Sequence, residues 1–356
     1  MLQQLLVISV ASAMAAAAGP VITAGNKSLP LPGEAFKLNG HDAFVILPAD
    51  AKSDIPWVWY APTLRGLPAK SEVWMFERFL KAGVAIAGID VGESYGSPVG
   101  RETYSAFYDH LVKARKFGRK PCLLARSRGG LMLYSWATKN PQSVGGVAGI
   151  YPVCNIASYP GVKRAAGAYG MTADELKAKL TQHNPIDRLK ALAKAKVPIL
   201  HIHGDKDGTV PLESNSAELA TRYEAFGGPV EIEVIAGQGH NMWSGWFQSQ
   251  KLTDFAIARA LGKVVAAPEQ AIKAGKKVTL HGTLMSGLVA IGGETTGWRL
   301  DFKNGGKPAR IEVDMRAIKG AGEFAGAGVT VTGMIISRPY VERGAVLILK
   351  AESVAR

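Results

Sequence analysis

The sequence predicts a mainly parallel, doubly wound α/β domain with a short cap insertion, followed by a small all-β barrel. Three observations carry that prediction. Between about residues 34 and 265, apolar runs of strand length alternate with amphipathic segments of helix length. Two of the runs, VAIAGI and VPILHI, are apolar almost throughout, as befits strands covered on both faces of a parallel sheet. Beyond residue 277 the helical spacing stops, and short alternating strands separated by glycine turns take over.

From the N-terminus, residues 2–18 hold no charge, a short apolar run and then small residues. They read as a secretory signal cleaved among Ala15 to Ala18, although no basic residue follows Met1. No later segment is apolar for long enough to span a bilayer, so an exported chain with no stable membrane insertion after cleavage is expected. Residues 34–48 read as two strands around Asn39–Gly40. Strands follow at Trp57–Ala61, Val84–Ile89, Pro121–Ala125, Val144–Val153, Val197–His203 and Val230–Ile235. The intervening helices are placed at Ala69–Ala82, Tyr104–Lys116, Arg128–Thr138, Glu213–Phe226 and Leu252–Val265. Residues 155–186 interrupt the alternation and form the cap. Within it, Thr172 and Glu175 have the spacing of a capping box, and Asn184–Pro185 suits the start of a helix. The expected division is thus a signal at 1–18, the α/β domain at 19–265, a linker at 266–277 and an OB-like β domain at 278–356.

The net charge of +13 is dispersed, with basic and acidic residues interleaved. It favours anionic surroundings or substrates, such as uronic-acid polymers or the cell envelope. Nucleic acid is not expected as a partner, because no dense basic run or basic motif occurs. Cys122 opens one strand and Cys154 lies beyond the end of the next. That separates them by about 15 Å at ~3.3 Å per residue, so two free thiols are expected.

Cleaving an acyl bond with a serine requires a nucleophile, a base for its proton and donors for the oxyanion. Gly92-Glu93-Ser94-Tyr95-Gly96 matches G-x-S-x-G literally, whereas Ala125-Arg126-Ser127-Arg128-Gly129 has Ala in the first position. The chemistry, however, needs an apolar strand running straight into the serine and a helix leaving at once. Cys122–Ala125 and Gly129–Trp136 supply both around Ser127. Gly96, Pro98 and Gly100 deny an immediate helix after Ser94. Ser127 is therefore the expected nucleophile.

His240 follows the strand Val230–Ile235 in a glycine-rich turn and is the expected base. Asp207, two residues further into the loop than Asp205, is the expected acid; Asp205 is expected to bond its own backbone. The oxyanion donors would be the Arg128 N–H and an N–H from Thr63 or Leu64. Arg126 and Arg128 either pack around the elbow or bind a substrate carboxylate bidentately. Trp243, Trp246 and Tyr159 are candidates for lining a subsite, and Glu93 and Asp90 are expected beside the site. His201-x-His203 could be read as a metal pair, but no further ligand cluster accompanies it, so sheet histidines are expected instead. Neither metal nor cofactor is called for.

The set ARSRGG, HGDKDGTVP and GQGH resembles the α/β-hydrolase superfamily over residues 34–265. From NPIDRL to GQGH the chain looks like the C-terminal half of prolyl-oligopeptidase-type and acyl-esterase domains. The Ser127–Arg128 pair is similar to the Ser–Arg of glucuronoyl esterases, in which that Arg helps stabilise the oxyanion. Departures are Ala125 for Gly, and Tyr60-Ala61-Pro62 where a His-Gly pair often precedes the oxyanion loop. The resemblance implies a secreted serine esterase acting on small-molecule or polymer esters, including those of polysaccharides. A serine peptidase is the second reading. A non-catalytic carbohydrate- or envelope-binding protein on the same scaffold is the third.

Overall fold

The computed structural model describes residues 19–263, 272–305 and 307–356. The signal segment 1–18 and residues 266–271 of the expected linker lie outside these. The chain divides into two compact units on either side of residue 265.

The first unit is built on a nine-stranded sheet of order β1-β2-β3-β5-β4-β6-β7-β8-β9. Its strands are β1 (Ile22–Ala24), β2 (Glu34–Leu38), β3 (His41–Ile46), β4 (Trp57–Ala61), β5 (Ala85–Ile89), β6 (Cys122–Arg126), β7 (Gly146–Ile150), β8 (Ile199–Gly204) and β9 (Val230–Ile235). Strands β1 to β3 pair antiparallel, and β3 pairs antiparallel with β5; every other pairing is parallel. Strands β4 to β8 are buried along their length, but for Arg126 at the end of β6, because helices cover both faces. Alternate residues of β4 show the division. Trp57 and Trp59 enter one core with Phe107 and Trp136, while Val58 and Tyr60 enter the other with Phe76 and Phe79.

The main helices are α1 (Val73–Lys81), α2 (Pro98–Asp109), α3 (Gly129–Ala137), α4 (Ser216–Ala225) and α5 (Gln250–Ala260). Two of the differences from expectation concern helix starts. Helix α2 begins at Pro98 rather than Tyr104, because the Ser97 hydroxyl accepts the Gly100 N–H and Pro98 occupies the first helical position. In the cap, Thr172 and Glu175 form their reciprocal capping box, with Thr172 N–H donating to Glu175 at 2.8 Å. Asn184, by contrast, caps nothing. Its side-chain oxygen accepts the Ile156 N–H at 2.9 Å, tying the cap to the exit of β7, and only a three-residue turn, Pro185–Asp187, follows. Cys122 and Cys154 are both buried and free, and burial pushes the Cys122 thiol up to about 12.

The second unit is a closed five-stranded barrel of β10 (Lys277–Ser286), β11 (Trp298–Asn304), β12 (Lys307–Asp314), β13 (Gly328–Tyr340) and β14 (Gly344–Ala355). Around the ring the order is β10-β11-β12-β14-β13 and back to β10, with β12 and β14 parallel. This is an OB-like closure. Its core is its own, formed by side chains such as Leu284, Leu300, Val313, Val331, Ile335 and Leu349.

Candidate active site

Parallel register brings the C-terminal ends of β6, β8 and β9 to one edge of the sheet, and the three reactive side chains stand on the loops that leave them. Ser127 follows β6 directly and adopts φ +49°, a left-handed conformation that costs a non-glycine residue about 1–2 kcal/mol. Backbone bonds hold it there. Its N–H donates to Ile150 at 3.0 Å, and its carbonyl accepts from Gly130 at 2.9 Å and Val153 at 2.8 Å. Helix α3 can leave at once because position 129 lacks a side chain: a Cβ there would sit 2.2 Å from the Ala61 carbonyl oxygen.

Ser127 Oγ lies 2.8 Å from His240 Nε2, and His240 Nδ1 lies 2.8 Å from Asp207 Oδ2. The carboxylate can only accept, so Nδ1 carries the proton and Nε2 presents its lone pair to the serine. Asp207 is buried. Its other oxygen accepts the N–H groups of Thr209 at 3.0 Å and Val210 at 2.8 Å. Burial alone would push the carboxyl up, but hydrogen bonds from His203, His240 and the Val210 N–H outweigh it and hold the group well below the usual carboxylate range. The His240 ring packs 4.3 Å from Tyr151, whose hydroxyl donates to the Asn241 carbonyl at 3.2 Å.

Thr63 and Leu64 continue from β4, next to the start of α3. Lys27 donates to their carbonyls at 2.7 and 3.4 Å, and burial lowers its ammonium below the usual range. Among the described residues, no protein group accepts the N–H of Thr63, Leu64 or Arg128. Ser94 is not brought to this constellation. Its buried hydroxyl has no partner among the described residues and lies against Gly100. Asp205 accepts the Gly237 N–H at 2.7 Å, bracing the histidine loop and not its own backbone.

The flanking residues separate into two groups. Arg126 was a candidate for a substrate carboxylate, but its guanidinium is held by Glu72 at 2.5 Å and lies over the Phe247 ring. Glu72, which sequence reasoning missed, is buried and also accepts from the Tyr60 hydroxyl at 2.9 Å and the Ala69 N–H at 2.9 Å. Trp246 is also buried and donates to Asn241, so it supports the loop from below. Arg128, next to Ser127 in the chain, pairs with Glu93 and lies 5.9 Å over the Tyr159 ring, and all three side chains are at least partly exposed. Trp243 is 41% exposed and stands edge-on against Trp246, with Met242 exposed beside it. His201 and His203 are fully buried, and their ring nitrogens are engaged by Tyr134, Ser216 and Val210. No group of three or more metal-binding side chains occurs among the described residues.

The strand order, the serine elbow and the in-line Ser–His–Asp arrangement define a serine hydrolase of the α/β-hydrolase class. The prolyl oligopeptidase family matches over residues 106–258, a stretch running from α2 into α5. Dipeptidyl peptidase 4 of Porphyromonas gingivalis is a structural neighbour with a TM-score of 0.50 and 14% identity, covering 63% of this chain and 35% of that one. The chain thus spans about a third of the length of that peptidase. Est1E from Butyrivibrio proteoclasticus aligns with a TM-score of 0.49 and 17% identity, over 64% of this chain and 99% of that one. No curated protein matches the chain.

Proposed function

We propose that the protein hydrolyses carboxylic esters through an acyl-enzyme, with Ser127 as nucleophile, His240 as base and Asp207 as orienting acid. The observation that carries this reading is the unbroken 2.8 Å–2.8 Å line from Ser127 Oγ through His240 to Asp207. His240 Nε2 takes the serine proton as Oγ attacks the carbonyl carbon. The oxyanion is received by the Arg128 N–H together with that of Thr63 or Leu64. Collapse expels the alcohol, protonated by His240, and water attacking the acyl-enzyme by the same route in reverse releases the acid. The exposed Trp243 and Met242 offer an apolar rest for the acyl or alcohol part, and Arg128 with Tyr159 offers a polar wall. The dispersed positive charge favours esters on anionic polymers.

The test is turnover of a short-chain p-nitrophenyl ester by wild type, Ser127→Ala and Ser94→Ala. Ser127→Ala should lose several orders of magnitude in kcat, and Ser94→Ala should remain near wild type. Loss of activity in Ser94→Ala alone would refute the assignment. A peptidase of the dipeptidyl-peptidase or aminopeptidase type is the second reading, favoured by the prolyl oligopeptidase match. Turnover of aminoacyl p-nitroanilides faster than that of esters would select it. Residues 2–18 are further proposed to direct export, and the mass of the protein recovered from the producing cell's envelope should show them removed.

A further inference from the structure

Beneath the reactive residues lies a second set of polar side chains that the proposed chemistry does not use. Tyr134 on α3, His201 and His203 on β8 and Ser216 at the start of α4 are all fully buried. They form a single file. The Tyr134 hydroxyl lies 2.7 Å from His201 Nε2, and His201 Nδ1 lies 2.9 Å from Ser216 Oγ. The same Oγ is 2.8 Å from His203 Nδ1. His203 Nε2 is 2.8 Å from the Val210 carbonyl and 3.4 Å from Asp207 Oδ2. Room for the His201 ring is made on the neighbouring strand, where a Cβ on Gly149 would lie 2.4 Å from it.

With one hydrogen on each imidazole, a single set of bond directions fits the file. His203 Nε2 faces a carbonyl and a carboxylate, which only accept, so it carries a hydrogen. Its Nδ1 is then bare and must receive the single Ser216 proton. Ser216 Oγ then accepts from His201 Nδ1–H. Burial lowers His201 to about 3, so its ring is neutral and its bare Nε2 takes the Tyr134 hydrogen. All donors therefore point towards Asp207.

We propose that His203 is the positioning residue for the acid of the triad. Its Nε2–H, oriented by the chain from Tyr134 through His201 and Ser216, clamps the 207–210 turn and shares the Asp207 oxygen to which His240 is bonded. The clamp closes a ring, because the Val210 N–H donates to Asp207 Oδ1 while the Val210 carbonyl accepts from His203. The proposal rests on the triad reading above. The groups facing the chain from neighbouring elements are Asp207 and His240, Tyr151 beside them, and Cys154 and Tyr223 on the inner side. Burial pushes the last three up, leaving Asp207 as the charge that the chain faces.

The experiment uses the whole chain and three readouts. In wild type, nitrogen-15 histidine spectra at pH 8 should show His203 as the Nε2–H tautomer and His201 as the Nδ1–H tautomer; the reverse pair overturns the chain. His203→Phe should lower kcat by about 10- to 100-fold with little change in KM. It should also move the acid limb of kcat/KM to higher pH, because the carboxylate loses a competing donor and holds the His240 imidazolium more tightly. A purely structural defect would lower the active fraction without moving that limb. His203→Gln, whose amide reaches the Nε2 position, should recover most of the loss. Ser216→Ala should move the limb in the same direction by a smaller amount, and it carries the test if His203→Phe does not fold. An unimpaired His203→Phe beside an inactive Asp207→Asn overturns the positioning role alone. A fully active Asp207→Asn overturns the triad reading on which the role depends.

Discussion

At the scale of single residues, the site is governed by how Asp207 is kept ionised where water cannot solvate it. Four donors surround its two oxygens: the rings of His240 and His203 and the N–H groups of Thr209 and Val210. A carboxyl held below the ~3.9 of an unfolded chain adds stability above about pH 4, and that contribution is lost as pH falls through the folded-state value. Asp207→Asn should therefore destabilise the protein by about 3 kcal/mol at pH 7 and by clearly less at pH 3. Urea unfolding at the two pH values measures this, and an equal penalty at both would show that the ionised form is not the stabilising one. Some residue roles were legible in the sequence. Ser127 stood out because an apolar strand meets a helix there with small residues around the turn, and Asp207 because it lies deeper in its loop than Asp205. Others were not. The Arg126–Glu72 pair joins positions 54 apart, and no local pattern announces it. Strand alternation marks His201 and His203 as sharing a face but does not show that Ser216, on another element, stands between them.

At the scale of elements, the decisive contact is between α3 and the end of β4. The helix start approaches the Ala61 carbonyl so closely that position 129 has no space for a side chain. Gly129→Ala should cost about 1–3 kcal/mol of stability and lower kcat as well, since Ala61 leads into the Thr63–Leu64 loop. Calorimetry and ester turnover together test this, and a variant with unchanged values of both would mean that the two backbones separate freely. The sequence pattern located the long strands and the main helices of the first unit, because their apolar periods are strong; short helices such as Val162–Ala165 and Ser244–Phe247 went unread. It failed at α2, where Pro98 and Gly100 were read as breakers. There Ser97 followed by Pro98 is itself a helix-start signal, and that signal outweighs the glycine. It also passed over β1, a three-residue edge strand whose exposed side chains leave no apolar period to read.

At the scale of the whole molecule, two units with separate cores should be separable in function. A chain ending at residue 265 should turn over a small p-nitrophenyl ester within about threefold of wild type. If the barrel holds polymer, the truncated chain should also lose turnover on polymer-bound esters; loss of small-ester activity would instead make the barrel part of the catalytic unit. How the barrel could hold anything follows from its closure. Each of its five strands already has a neighbour on both sides. An extended chain seeking to dock by adding itself as a further strand meets no vacant row of peptide groups along a whole strand. Recognition along the closed part of this ring therefore falls to side chains and connecting loops, while β12 and β14 pair only over Glu312–Asp314 and Ile348–Lys350. Its selectivity is therefore written in residues that can be exchanged one at a time without touching the scaffold.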